Sequence, residues 1–371
     1  MKKFMRYVAV VVVLCVWTTS ATWAGMIQED PLYFSPKPPK VIFPGADVKL
    51  VTFEFEAIGN DDRGKRVAKE LHDQFLKEIH DLQGGAIITF VAPPGKRLAN
   101  YRIEAVEVAK GQEAQMVLWG RIALDQAGTP LINARLELIQ PPSGISASYG
   151  KMVMLKSGAP IPVEGRLVDY ISQVRINFHT LERDVTSLAN FLSGLSRYYK
   201  GMKKPGVDAK RWLESSAKDF DEYIKAVPEE ADRVALGIAH TYLARAYFGL
   251  SEVDSVRSVN LLDQAKNHAE RAAKLSPYDP DIPAVQAVIA AKQNAKPQEL
   301  REYIVKAATL APGDSNVRIN LALVESASGN FDQAIQQLDT ARFLNKAQAK
   351  DTAPDIRRLR SQLSRVQERV K

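Results

Sequence analysis

Ala272-Ala273-Lys274-Leu275-Ser276-Pro277 returns 35 residues on as Ala307-Ala308-Thr309-Leu310-Ala311-Pro312, and its opening returns 34 further on in Ala341-Arg342-Phe343-Leu344. A segment that recurs at near-constant spacing marks one supersecondary unit used several times. Two of the copies close on a proline, which cannot continue a helix. No convincing strand pattern is read from about Val168 to the end, so the unit is a pair of helices. One such pair cannot bury its apolar face alone, and stacking neighbours gives a continuous core and a concave surface.

A period of about 34 is similar to that of the tetratricopeptide repeat (TPR). Gly329-Asn330-Phe331-Asp332-Gln333-Ala334, followed by Leu338 and Ala341, resembles the turn and second helix of that family. Leu321-Ala322 stands where its first helix needs a small residue, and Leu243-Ala244-Arg245-Ala246-Tyr247 resembles its Leu-Gly-x-x-Tyr. Phe220, Ile224 and Pro228 end an earlier second helix, with Phe191 to Tyr199 as its partner and Gly194 as the small residue. The resemblance implies about four helix pairs over residues 185–346, with a loop insertion near Ser251 to Ser258 in the second. By family position, Thr241, Arg245, Lys292, Gln293, Ile319 and Leu323 point into the groove. That set lacks the clustered Lys, Arg and Asn that clamp a peptide carboxylate. It makes a mixed apolar and weakly basic groove, or packs against other parts of the chain.

Residues 347–371 close the array. Ile356, Leu359, Leu363, Val366 and Val370 form one helical stripe, opposite Arg357, Arg358, Arg360, Arg365 and Arg369. Thr352 suits the N-cap and Pro354 the first turn. A capping helix is favoured over a short coiled coil with a partner.

Residues 47–157 alternate in type. Val48 to Phe55 alternates as a strand does. A helix follows from about Arg63 to Leu82, with Val67, Leu71, Phe75, Ile79 and Leu82 on one stripe, and Gly84-Gly85 ends it. Ala86 to Val91 is a second strand. A helix over about Ala99 to Lys110 faces in through Ile103, Val106 and Ala109. Strands over Gln115–Leu124, Leu131–Ile139 and Ser146–Leu155 are joined by turns at Gln126 and Pro141. The order β-α-β-α-β-β-β is a small α/β sandwich with a mixed sheet, and residues 158–184 connect it to the helices. The fold class is therefore α+β multidomain, the sandwich followed by an all-α TPR solenoid.

Glu113-Ala114-Gln115-Met116-Val117-Leu118-Trp119-Gly120-Arg121-Ile122 resembles the Gly-Ala-Asp-x-Val-Val-x-Gly-x-Val strand of TolB N-terminal-like and CsgG-like envelope domains. The likeness covers roughly residues 47–140, with Gln115 in place of the usual acid and Phe55 in place of the usual Asn. It implies a binding or assembly module and brings no site residues.

The first 24 residues read as a secretory signal peptide: Lys2, Lys3 and Arg6, an apolar core over Tyr7–Trp17, then Thr22 and Ala24 at the cleavage positions. The apolar run is well short of the ~20 residues that span a bilayer. Cys15, the only cysteine, lies inside that leader, so a mature chain carries no disulfide and no thiol chemistry. Residues 25–46 form a Pro-rich arm or linker, anchored through Leu32, Tyr33, Phe34 and Phe43 or disordered. The formal charge of +7 falls to +4 once the leader's three cations go. Export and mixed charge signs argue against a nucleic-acid partner.

Catalytic signatures are missing. His72 and His80 stand eight apart, and neither a His-x-x-x-His pair, a Gly-x-Ser-x-Gly elbow nor a phosphate loop occurs. Asp61-Asp62 and Glu229-Glu230 suit helix starts. No cofactor, metal or enzymatic activity is expected. The expectation is an exported scaffold or adaptor in the periplasm, peripherally associated with the envelope or outer membrane, that binds partner proteins through the repeats. Two alternatives stand beside it: a sensor of small molecules or glycans, with Trp119 and Tyr101 stacking on a sugar, and a structural subunit of a secretion or outer-membrane assembly.

Overall fold

The computed structural model describes residues 48–58, 62–80, 85–90, 102–154, 160–171, 175–182, 185–348, 361 and 363. The leader, the arm, Tyr101 and most of the closing helix lie outside them.

One mixed sheet opens the chain. It is built from β1 (Val48–Phe53), β2 (Glu56–Ala57), β3 (Gly85–Phe90), β4 (Met116–Leu124), β5 (Pro130–Leu138) and β8 (Arg175–Glu182). The order is β3-β1-β4-β5-β8, with β2 beside β4. β1 runs parallel to β3 and β4, while β5 is antiparallel to both β4 and β8. Two helices cover it: α1 (Asp62–His80) on one face and α2 (Arg102–Gly111) on the other. The alternation of β1 explains why both faces are covered. Leu50 joins the cluster with Leu71, Phe75 and Ile79 of α1, and Val51 and Phe53 join Ala105 and Ala109 of α2.

Gln115 ties three strands together at one end of this sheet. Its side-chain oxygen accepts from Lys49 N at 2.7 Å and its amide donates to Gln140 Oε1 at 3.1 Å. Its main-chain N–H donates to Lys49 O at 3.0 Å, and its carbonyl accepts from Ile139 N at 2.8 Å.

The helices follow as four antiparallel pairs: α3 (Val185–Lys203) with α4 (Gly206–Ala226), α5 (Arg233–Val253) with α6 (Ser258–Leu275), α7 (Asp281–Lys292) with α8 (Pro297–Leu310), and α9 (Ser315–Ala327) with α10 (Phe331–Gln348). Small residues sit where helices cross. A Cβ on Gly194 would meet the Phe220 ring at 3.1 Å, so the ring would have to shift to admit any larger residue where α3 and α4 cross. Ala322 is the small residue of α9, packed with Ala334 and Leu338 of α10 and with Leu363. The apolar face of α3 also packs on the sheet through Phe191, Leu192 and Leu195, so sheet and helices share one core.

Four sequence expectations need correction. β8 lies beyond Val168, where no strand is expected. Its Ile176 and Phe178 are buried and the intervening Arg175 and Asn177 exposed, the period-2 pattern of an edge strand with one wet face. The strand near Ser146–Leu155 does not join the sheet. It is β6 (Ser146–Met154), and it pairs only with β7 (Pro160–Val168) in a separate two-stranded hairpin. In α2, Ala105 and Ala109 face in while Ile103 is 66% exposed; small residues one turn apart let the helix lie close on the sheet. The loop insertion expected near Ser251–Ser258 shrinks to a short turn over residues 254–257, since α5 runs to Val253 and α6 begins at Ser258.

Candidate functional site

The first helices of the later pairs, α5, α7 and α9, share one face of the array, and the β6–β7 hairpin lies on it. Ala147, Tyr149, Val163 and Leu167 of the hairpin share a cluster with Ala244 and Phe248 of α5, Val285 and Val288 of α7, and Leu323 and Val324 of α9. Burying an aliphatic side chain of this size is worth about 1.5–3 kcal/mol, so the contact stabilises hairpin and helices together. The hairpin runs along α9. Val168 meets Asn320, Gly165 lies on Leu323, and Val153 reaches the end of the helix at Gly329.

Asn320 holds main chain. Its Nδ2 donates to Val168 O at 2.7 Å and its Oδ1 accepts from Val168 N at 3.1 Å. One side-chain amide thereby satisfies both polar groups that β7 turns away from β6 at that residue. Gly165 is needed for the same close approach, because a Cβ there would stand 2.8 Å from both Leu323 methyls.

A charge cluster anchors the base of the hairpin. Asp169, next after β7, is fully buried. It accepts from Arg245 Nε at 2.6 Å and from Nη2 at 3.0 Å, and the same Nη2 reaches Asp281 Oδ2 at 3.2 Å. Arg245 also lies over the Tyr242 ring at 5.0 Å. Burial opposes the Arg245 charge, but Asp169 and Asp281 hold its pKa well above the usual value, so it stays a cation. Burial pushes Asp169 up to about 6 against the pull of Arg245. Asp279, which accepts from Asp281 N at 2.9 Å, is pushed to about 7 by burial and by Asp281. One guanidinium thus faces a surplus of carboxylates.

The six residues assigned to the groove from repeat position do not form one open surface. Arg245 and Leu323 are buried against the hairpin and its base. Thr241 is buried, its hydroxyl donating to Gly237 O at 2.9 Å within α5. Ile319 packs against Ala341 of α10, between helices. Lys292 pairs with Glu252 at 2.5 Å, and Gln293 donates to Asp263 Oδ1 at 3.1 Å, both on the edge of the array. For Arg245 and Leu323 the physical reason is the hairpin itself, which packs on α7 and α9; the other four are taken up by contacts within and between helices. Asn320 escaped the sequence reading although it adjoins Ile319. Its partner lies 152 residues away, and only the helical step from Leu323 back to Asn320, on the same face, pointed to it.

Two histidine sites lie elsewhere. His240 and His268 face each other across α5 and α6 with their Nδ1 atoms 2.9 Å apart, and Tyr247 stacks on His268. One ring must donate and the other accept, so the pair carries at most one charge. Burial first, then His268 and Arg271, lowers His240 to about 4. His72 lies between Phe55 and Phe75 with neither ring nitrogen hydrogen-bonded, and burial lowers it to about 4 despite Asp73. No group of three or more His, Cys, Asp or Glu that could hold a metal ion occurs among the described residues. Trp119 is buried in the core against α2 and offers no stacking face to a sugar; Tyr101 lies outside the described residues. A shallow surface depression runs along α10, lined by Asp332, Ile335, Gln336, Asp339, Thr340 and Phe343. Among the described residues no helix is long and apolar enough to cross a membrane.

No family model matches the chain, and no curated protein matches it. Solved structures with similar elements include a thermophilic TPR protein of Thermus thermophilus, at 16% identity and TM-score 0.36, covering 48% of this chain and 90% of that one. The TPR2AB domain of yeast Sti1 in its pHSP90 complex is similar at 14% identity and TM-score 0.26, over 49% of this chain and 86% of that one. A PelC dodecamer from Paraburkholderia phytofirmans is similar at 15% identity and TM-score 0.19, over 40% and 88%. At scores this low, the fold rests on the geometry described above.

Proposed function

We propose that this chain is a non-catalytic scaffold of the bacterial cell envelope that holds other proteins through its helix array. The observation that supports this reading is the Asn320 clamp on Val168. It grips main chain, whatever the side chain, so this face of the array can hold an extended segment. In this chain the array's inner face takes up its own hairpin, so partners meet the composite surface of helices and hairpin.

The reading as an exported protein rests on the leader pattern of residues 1–24. An assembly role for the sheet domain rests on the likeness of residues 47–140 to TolB N-terminal-like and CsgG-like modules. Both belong to the same proposal: a periplasmic adaptor, peripherally associated with the envelope, with protein partners and no nucleic acid.

Cell fractionation combined with crosslinking of the tagged full chain in intact cells tests it. The expected result is a periplasmic or outer-membrane fraction and a discrete crosslinked protein. A cytoplasmic chain with its leader intact, or no discrete product at any crosslinker length, would overturn it.

A further inference from the structure

The two edges of the β6–β7 hairpin are not equivalent. Val168 turns its N–H and C=O outward to Asn320, while Asp169 N donates to Ile145 O at 2.9 Å across the pair. In an antiparallel ladder these roles alternate. Arg166, Glu164, Pro162 and Pro160 therefore face the outer edge of β7. Their register partners Ser148, Gly150, Met152 and Met154 face the outer edge of β6.

The outer edge of β7 is closed. Pro162 and Pro160 carry no N–H at two of the positions where a donor would point outward, Glu164 and Arg166 put a charge at the next two, and Asn320 occupies Val168. Prolines at such positions are a known way to block strand addition. The outer edge of β6 has neither device. Its four outward residues carry no charge and no proline, and none of them makes a main-chain bond on that side to any described residue. Gly150 has only backbone to expose, and it is exposed. Beside it, Met152 is 62% and Met154 64% exposed, facing Pro162 and Pro160 across the ladder. An open edge flanked by exposed methionines is a template for pairing.

We propose that β6 pairs with β6 of a second copy of this chain, antiparallel about a two-fold axis at Met152. Three observations favour a second copy over an unrelated strand. The edge is self-complementary: with Met152 opposite Met152, Met154 falls opposite Gly150 in both directions. No like charges meet, because Glu164 and Arg166 stay on the outer strands and Lys151 faces Val153. The assembly also closes at two, since the four-stranded sheet that results has only proline-blocked β7 edges left. The exposed methionines and Pro160 and Pro162 of both copies then form one apolar surface. This inference does not depend on the scaffold reading.

Light scattering on the full chain across a hundredfold range of concentration tests it, with Met152→Lys and Gly150→Pro as variants. The wild type is expected to run at twice the chain mass, and each variant at half the wild-type mass with an unchanged circular dichroism spectrum. Met152→Cys is expected to form a disulfide-linked dimer under mild oxidation, and Ser148→Cys is not. A wild type that stays at the chain mass throughout, a dimer that both variants leave intact, or equal crosslinking at positions 148 and 152 would overturn the proposal.

Discussion

Asn320 bonds twice to one residue, so its loss strands a donor and an acceptor together. Leaving a buried polar group unpaired costs about 1–3 kcal/mol, and Val168 is half-buried, so Asn320→Ala is expected to lower stability by about 2 kcal/mol in chemical denaturation. Two titrating groups predict opposite pH slopes. The His72 pKa of about 4 lies below the ordinary 6.5. As pH falls from 6.5 toward 4, the unfolded chain takes the proton first and stability is lost. His72→Phe removes that loss, so its melting temperature should gain on the wild type more at pH 5 than at pH 8. Asp279 is raised from 3.8 to about 7. Its contribution is full below about pH 4 and disappears as pH rises through 7. Asp279→Asn should therefore gain on the wild type more at pH 8 than at pH 5. Equal gaps at the two pH values would contradict either assignment. Little of this was legible in sequence. His72 sits on a helical stripe with nothing to show that its ring nitrogens find no partner, and Asp279 stands between Tyr278 and Pro280 like any surface turn acid.

The paired helices were legible as elements because each crossing imposes its own residue: Gly194 against Phe220, Ala322 against Ala334 and Leu338. Small residues at a fixed period survive any shift in loop length. The hairpin was not legible as a separate element. β6 alternates like a sheet strand, and nothing local distinguishes a partner in the sheet from a seat on helices far along the chain. β8 was overlooked because its alternation runs almost directly into α3. One glycine marks the hairpin's base. A Cβ on Gly144 would lie 1.4 Å from Asp169 O, a backbone atom that cannot move without dragging the Arg245 cluster. Gly144→Ala is expected to cost about 3 kcal/mol or more, the upper range for forced overpacking. A loss below 1 kcal/mol by denaturant titration would show that the base is more yielding than its packing implies.

Across the whole molecule, the sheet and the helix array are joined twice. α3 packs on the sheet, and the chain between β5 and β8 leaves the sheet as the hairpin, crosses onto the shared face of α5, α7 and α9, and returns. The array is thus a binding surface already engaged in cis, and Arg245 and Leu323, placed on the concave face from repeat position alone, contact this internal occupant. The most direct test is hydrogen exchange on the intact chain. If the hairpin is seated as described, the amides of Val163, Gly165 and Leu167, which face β6, and Val168 N–H on Asn320 should be protected to the same degree as those of α7 and α9, and Asn320→Ala should speed exchange at Val168 first. Fast exchange at these four amides, with α7 and α9 still protected, would contradict the account.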